Sequence, residues 1–206
     1  EILWSMGDTE AADKIWKKAE EINDNDSTLK DTLRRLRPEW ALPEKFDETI
    51  KRKWDGRFAV KINGKTNQDG GSGAFTLDHE AMNDVLEIRG PLGTSIAKVN
   101  ITPSEAILEQ NGSKMEAIDA DTLIEKALGL PIPARGLSAW LAGYTRAGSP
   151  GTVERDKTGQ VKKILQDGWV LNYTWSKKGK LEKLSMSRQL DQADVDIRLV
   201  FDNVDE

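Results

Sequence analysis

The sequence contains no cysteine and a single histidine. Without cysteine there can be no disulfide, no thiol nucleophile and no cysteine-ligated zinc or iron–sulfur cluster. One histidine excludes a metal site that needs two, and it leaves only His79 for histidine-assisted acyl transfer. No apolar run approaches the ~18 residues of a membrane-spanning helix, and no stretch reads as a signal peptide. Basic residues are outnumbered, 30 Lys and Arg against 35 Asp and Glu, for a net charge of −5. That lack of basic excess argues against a nucleic-acid binder. The aromatic set is lopsided, with seven Trp against two Tyr and four Phe. Tryptophan carries a large apolar area with one polar handle, so what those rings face matters. The 206 residues fit one domain, or a domain with a small appendage.

The chain divides near residue 38. Residues 1–37 show no strand alternation, and Leu3, Ala11, Ala12, Ile15, Trp16, Ala19 and Ile22 recur at helical spacing. Gly7-Asp8 and the run Asn23 to Ser27 interrupt the pattern. Asp26 or Ser27 is placed to cap the stretch from Thr28 to Arg37, and Pro38 ends it. Gly7, Ala12, Trp16 and Ala19 stand at offsets that resemble the end of a tetratricopeptide repeat, although Asp24 occupies the usual proline position. An ordinary amphipathic helical hairpin is the alternative. A partial repeat cannot bury its own faces, so the resemblance leads us to expect a repeat array upstream of Glu1.

From about residue 54 short alternating runs are separated by Gly, Asn and Asp turns, the pattern of an antiparallel meander. Strands are expected at Gly56–Asn63, Gly71–His79, Asp84–Arg89, Thr94–Thr102, Glu105–Asn111 and Ser113–Ala117. A helical interlude follows at Asp119–Leu128 and Gly136–Tyr144, and strands resume at Val161–Gln166, Trp169–Lys177, Leu181–Gln189 and Asp194–Asn203. Ten or eleven such strands with one helical insertion imply a curved sheet or barrel. Gly70-Gly71-Ser72-Gly73 lacks the lysine and the strand-to-helix context of a phosphate-binding loop and reads as a hairpin turn.

Each strand has one apolar face. Phe58, Val60 and Ile62 oppose Arg57, Ala59 and Lys61; Phe75 pairs with Leu77, and Leu86 with Ile88. Trp169, Leu171, Tyr173 and Trp175 form a face of large side chains, as do Val195, Ile197, Leu199 and Phe201. The helical insertion must cover that face with Leu123, Ile124, Ala127, Leu128, Leu137, Trp140 and Leu141. Either the large side chains fill the interior, or two short helices leave an apolar cavity suited to an apolar ligand. Gly90-Pro91-Leu92-Gly93 places a leucine at a tight turn. Leu92 either folds back into the core or projects as a membrane or partner contact.

These residues together resemble the LolB family of outer-membrane lipoprotein receptors. The similarity runs over about residues 43–203. It is carried by Trp54-Asp55-Gly56-Arg57-Phe58, by Gly90-Pro91-Leu92-Gly93 and by Leu128-Gly129-Leu130-Pro131-Ile132-Pro133. Leu137, Trp140-Leu141, Gly143, Gly168-Trp169 and Tyr173 complete it. Leu77 departs from the pattern, which commonly has Trp there; the change affects cavity shape more than role. The resemblance implies a mainly β fold with helices: a half-open antiparallel barrel of about ten or eleven strands capped by short helices. This is residues 38–206, following an N-terminal helical hairpin at 1–37. It implies a non-enzymatic protein that takes lipoproteins from a LolA-like periplasmic carrier and incorporates them into the inner leaflet of the outer membrane. No cofactor, metal or nucleic acid is implied.

On this reading Phe58, Val60, Phe75, Leu77, Leu86, Ile88, Leu137, Trp140, Leu141, Trp169 and Tyr173 line an acyl-chain cavity. Pro91, Leu92 and Gly93 form the membrane-delivery loop, with Leu92 at its tip. The family is anchored through a lipidated N-terminal cysteine, so the anchor is expected upstream, at the periplasmic face of the Gram-negative outer membrane. Two other readings remain: a general periplasmic carrier of hydrophobic ligands, and an interaction scaffold whose partner binds the repeat-like segment. An enzyme fits least, since Asp119 and Asp121 read as capping and helix-dipole residues rather than a catalytic pair, and Asp78-His79-Glu80 as a solvated hairpin end.

Overall fold

A computed structural model describes residues 2–22, 27–36, 46–64, 68–90, 92–129, 132–191 and 193–202. Two compact units are present. One comprises Glu1–Glu44 with Glu154–Val161, and the other Lys45–Val153 with Lys162–Glu206.

In the first unit three helices follow one another: α1 (Ile2–Ser5), α2 (Thr9–Ile22) and α3 (Ser27–Leu36). Gly7, at φ +86°, turns the chain between α1 and α2, a conformation that favours glycine. Asp8 then accepts a hydrogen bond from the Ala11 amide and caps α2. Ala12, Trp16 and Leu33 are buried together, with Leu3, Trp4, Leu29 and Leu36 packed against them. The Trp4 and Trp16 rings lie 5.5 Å apart. Ser27 is the first residue of α3, whereas Asn23 to Asp26 and Arg37 to Trp40 lie outside the described residues.

The remaining strands are β1 (Arg52–Gly64), β2 (Gln68–Glu80), β3 (Asn83–Arg89), β4 (Ser95–Ile101), β5 (Ala106–Gln110), β6 (Ser113–Ala117), β7 (Gly151–Arg155), β8 (Val161–Gln166), β9 (Trp169–Trp175), β10 (Leu181–Gln189) and β11 (Ala193–Phe201). Their order in one sheet is β6-β5-β4-β3-β2-β1-β11-β10-β9-β8-β7. Consecutive strands are neighbours within two meanders, β1 to β6 and β7 to β11. β6 and β7 are not neighbours, and the meanders join where β1 pairs antiparallel with β11, Phe58 opposite Leu199 and Val60 opposite Ile197. The sheet is open, with β6 and β7 at its edges. With its short helices it is the mainly β, half-open antiparallel architecture expected. Residues Gly151–Arg155 were not foreseen as a strand, because Val153 is their only large apolar residue and no alternation can show.

Gly70 to Gly73 do not form a turn; they lie inside β2. A side chain at Gly73 would put a Cβ 2.1 Å from the Arg89 carbonyl oxygen and 3.0 Å from the Phe58 ring, and one at Gly70 would lie 2.2 Å from the Val60 carbonyl oxygen. These glycines permit close approach of neighbouring strands rather than chain reversal. β1 ends at Gly64 and β2 begins at Gln68, and residues 65–67 lie outside the described residues.

Two short helices follow β6: α4 (Ala120–Leu128) and α5 (Leu137–Leu141). Asp119 caps α4 by accepting from the Thr122 amide, and Gly129 closes it in the left-handed conformation, its N–H bonded to the Glu125 carbonyl. Every residue of α5 is buried. Replacing Gly73 by Ala should destabilise the protein by about 1–3 kcal/mol, the usual cost of overpacking, with a matching fall in the urea midpoint. An unchanged midpoint would contradict the close approach described for β2.

Candidate functional site

Alternation along β1, β2, β3, β10 and β11 sends one set of side chains to a common buried face. Phe58, Val60, Phe75, Leu86, Ile88, Met186, Ile197 and Leu199 meet there, and Leu137 of α5 and Ile132 of the α4–α5 connection complete the lining. They line a partly open apolar cavity of about 30 Å³, room for a water molecule or two by volume. An acyl chain does not fit without movement of the walls. Six of the eleven residues expected to line a cavity are brought together here: Phe58, Val60, Phe75, Leu86, Ile88 and Leu137. Leu77, Trp140, Leu141, Trp169 and Tyr173 are buried elsewhere in the interior. Sequence reasoning missed Ile132, Met186, Ile197 and Leu199. The last two stood on a recognised apolar face, but which strand would close against β1 was not legible.

The loop between β3 and β4 is braced by its own backbone. The Gly90 amide donates to the Thr94 carbonyl, and the Gly93 amide to the Gly90 carbonyl, each at 2.9 Å. Gly93 adopts φ +79°. Leu92 is 96 % exposed at this tip, which decides between the two alternatives: it does not fold back. Pro91 lies outside the described residues.

Three polar groups in the interior hold α5. Tyr173 of β9 donates its hydroxyl to the Trp140 carbonyl at 2.8 Å, and burial pushes its ionisation far above the usual range. Gln166 of β8 uses its whole amide. Its Oε1 accepts from the Trp140 indole N–H at 2.7 Å and from the Arg146 amide at 2.9 Å. Its Nε2 donates to the carbonyls of Arg146 and Ser149. Beside it Asp167 accepts from Arg146 and Ser149. Burial pushes the Asp167 carboxyl up, but these hydrogen bonds and the Arg146 charge outweigh burial and hold it below the usual range.

At the other end Ser138 donates to Asp84 Oδ2 at 2.8 Å. Asp84 Oδ1 in turn lies 2.5 Å from His79 Nδ1, and His79 Nε2 faces the Glu48 carbonyl at 3.1 Å. Both ring nitrogens thus have a polar partner. His79 is only 2 % exposed, which corrects its reading as part of a solvated hairpin end. Phe46 packs 4.9 Å from its ring, so a loop distant in sequence covers it.

Asp119 caps α4 as expected, and Thr122 holds it below the usual carboxylate range. Asp121 is more than a dipole residue. It accepts from the Ala134 and Arg135 amides, both at 2.8 Å, and burial pushes it up against those bonds. Among the described residues no group of three or more His, Cys, Asp or Glu side chains could hold a metal ion, and no helix is long and apolar enough to cross a membrane.

Residues 52–203 match the family model described as outer membrane lipoprotein LolB. Among curated relatives, the outer-membrane lipoprotein LolB of Cupriavidus taiwanensis is 34 % identical over 127 residues, covering 61 % of this chain and 63 % of that protein. The protein of the same name from Cupriavidus necator is 31 % identical over 153 residues, covering 72 % and 78 %. The chain thus spans somewhat less than two thirds of the first relative. Among solved structures, a LolA superfamily protein of Nitrosomonas europaea aligns over 77 % of this chain and 86 % of that one, with a TM-score of 0.45 and 9 % identity.

Removing only the hydroxyl in Tyr173→Phe should cost about 1 kcal/mol. Gln166→Leu strands several buried polar groups and should cost about 3 kcal/mol or more. Urea unfolding checks both; equal small losses would show that the Gln166 amide is not the anchor its geometry implies.

Proposed function

The chain belongs to the LolB family, and from that we propose that it accepts lipoproteins from a LolA-like periplasmic carrier and incorporates them into the inner leaflet of the outer membrane. It does so without catalysis, cofactor or metal. The observation that carries this reading is the wholly apolar cavity between sheet and α5, built from residues inside the span that matches the family. Acyl chains occupy this cavity once its walls part. Phe58, Val60, Phe75, Leu86, Ile88 and Leu137 touch the chain first, and Leu77, Trp140, Leu141, Trp169 and Tyr173 support the enlarged site.

The energetics need no nucleotide. Burying a methylene is worth ~0.8 kcal/mol, so an acyl chain of about 15 methylenes would cost roughly 12 kcal/mol to expose. A receptor that shields the chain nearly as well as a membrane passes it on whenever each acceptor binds it more favourably than the donor. A small resting cavity suits this role, because closing on release recovers the apolar contacts the ligand had replaced.

Leu92 is the membrane contact. Its side chain stands in water on a braced loop, ready to exchange that exposure for acyl surroundings. Residues 38–206 form the working domain at the periplasmic face of the outer membrane. We propose further that residues 1–37 form a partial tetratricopeptide-like segment that offers a surface to a protein partner; Ala12, Trp16 and Leu33 pack together there, as in either a repeat or an ordinary helical hairpin. The competing reading, a general carrier of hydrophobic ligands, uses the same cavity but needs no lipoprotein.

Leu92→Glu should leave the thermal midpoint within about 2 °C of the parent, as for other exposed sites. It should lower delivery of a radiolabelled lipoprotein from LolA to outer-membrane vesicles by about tenfold or more, the worth of one membrane-buried leucine. Undiminished delivery would remove Leu92 from the mechanism. Fatty-acid binding without any lipoprotein transfer by the parent protein would favour the general carrier.

A further inference from the structure

α5 is five residues long, too short to gain much from its own backbone. Its position is set by side chains. Ser138 bonds to Asp84 in β3, the Trp140 indole to Gln166 in β8, and the Trp140 carbonyl to Tyr173 in β9. In the strand order β3 lies on one side of β1, and β8 and β9 on the other, so the helix is tied to the sheet from both flanks. Lifting it would strip the buried Tyr173 hydroxyl of its partner and take one partner each from Asp84 and Gln166. These two would keep only His79 and the Arg146 and Ser149 backbone, respectively, a cost at each buried group.

α4 is held differently. Among the described residues its side-chain hydrogen bonds lie within its own first turn and at Asp121, which accepts from the Ala134 and Arg135 amides. Its buried side chains, Ala120, Leu123 and Ile124, are wholly apolar. An incoming acyl chain can replace them against the sheet, exchanging one apolar contact for another. It cannot replace a hydrogen-bond partner, so Asp121 keeps its two only if residues 134 and 135 move with α4. The cavity wall spans both parts of the cover: Leu137 belongs to the anchored helix, while Ile132 lies in the connection between α4 and α5 and contributes only an apolar side chain.

We propose that α5 is the fixed wall of the acyl site, held by the positioning residues Ser138, Gln166 and Tyr173, and that an acyl chain enters by displacing α4 and Ile132 from the sheet. This inference rests on the acyl-site reading above. It assigns the moving part and the stationary part of the cover, and it gives the buried network on α5 a role beyond stability.

The absence of cysteine allows clean spin labelling. Lys61 of β1 and Glu125 of α4 are exposed, and Ala142 at the end of α5 is half-buried. Pairs of Lys61→Cys with Glu125→Cys, and of Lys61→Cys with Ala142→Cys, would be measured by double electron–electron resonance. The probe is a peptide bearing one palmitoyl chain, with its binding followed separately. The Lys61–Glu125 distance should change on binding by more than the ~2 Å of ordinary helix shifts, and the Lys61–Ala142 distance by less. Adding Ser138→Ala and Tyr173→Phe should broaden the α5 distance and make it ligand-responsive, while Ser138→Thr, which keeps the hydroxyl, should leave it narrow. Circular dichroism confirms that each variant folds, and each single substitution serves if the pair does not.

A bound peptide that moves the α5 label, or leaves the α4 label still, overturns the inference. So does a folded double variant whose α5 distance stays narrow. A peptide that does not bind at all overturns the acyl-site reading itself, and this inference with it.

Discussion

A sheet with one apolar face must have that face covered, and nearly everything else in this protein answers to that need. The alternation in β1, β2, β3, β10 and β11 aims Phe58, Phe75, Leu86, Met186 and Leu199 at the same interior. The cover available between β6 and β7 is slight, nine residues of α4 and five of α5. So short a cover cannot be held by backbone helicity, and it is the interior hydrogen bonds to α5 that fix it. Leu137 and Ile132 are the residues of the cover that line the cavity.

This division of labour explains why an apolar interior carries so many polar atoms. Gln166, Tyr173, Asp84 and His79 are all buried, and each is bonded. Polar groups in such places cost free energy unless satisfied, and satisfied ones fix geometry more sharply than apolar packing does. The proposed function would need both qualities. The apolar surface would yield to an acyl chain, and the polar anchors would return the walls to one resting position.

Much of this was legible beforehand. Period-two alternation located ten of the eleven strands, and the positions of Phe58, Val60, Phe75, Leu86 and Ile88 on one face followed from it directly. Local chemistry also fixed the Asp119 cap and the tight Gly90–Gly93 loop. Other features failed for identifiable reasons. Gly70 to Gly73 carry the composition of a turn, and only the nearness of Val60 and Arg89 shows why a strand needs glycine there. His79 sits among acidic neighbours in the sequence, yet Phe46 and Glu48 bury it from thirty-odd positions away. Met186 and Ile132 gave no pattern from which a cavity wall could be inferred.

The sequence by itself determined the elements, the face each strand presents and the family to which the chain belongs, because these depend on spacing and on short motifs. Only the tertiary structure decided the rest. It set which strands meet when β1 pairs with β11, that Leu92 stands in water, and that most of the interior is filled around a small void. It also joined Ser138 to Asp84, and Trp140 to Gln166 and Tyr173. Such contacts join residues 26 to 54 positions apart, and no local period records them. They arise when polar side chains are trapped by the burial of their neighbours and must find partners among whatever the fold has placed nearby.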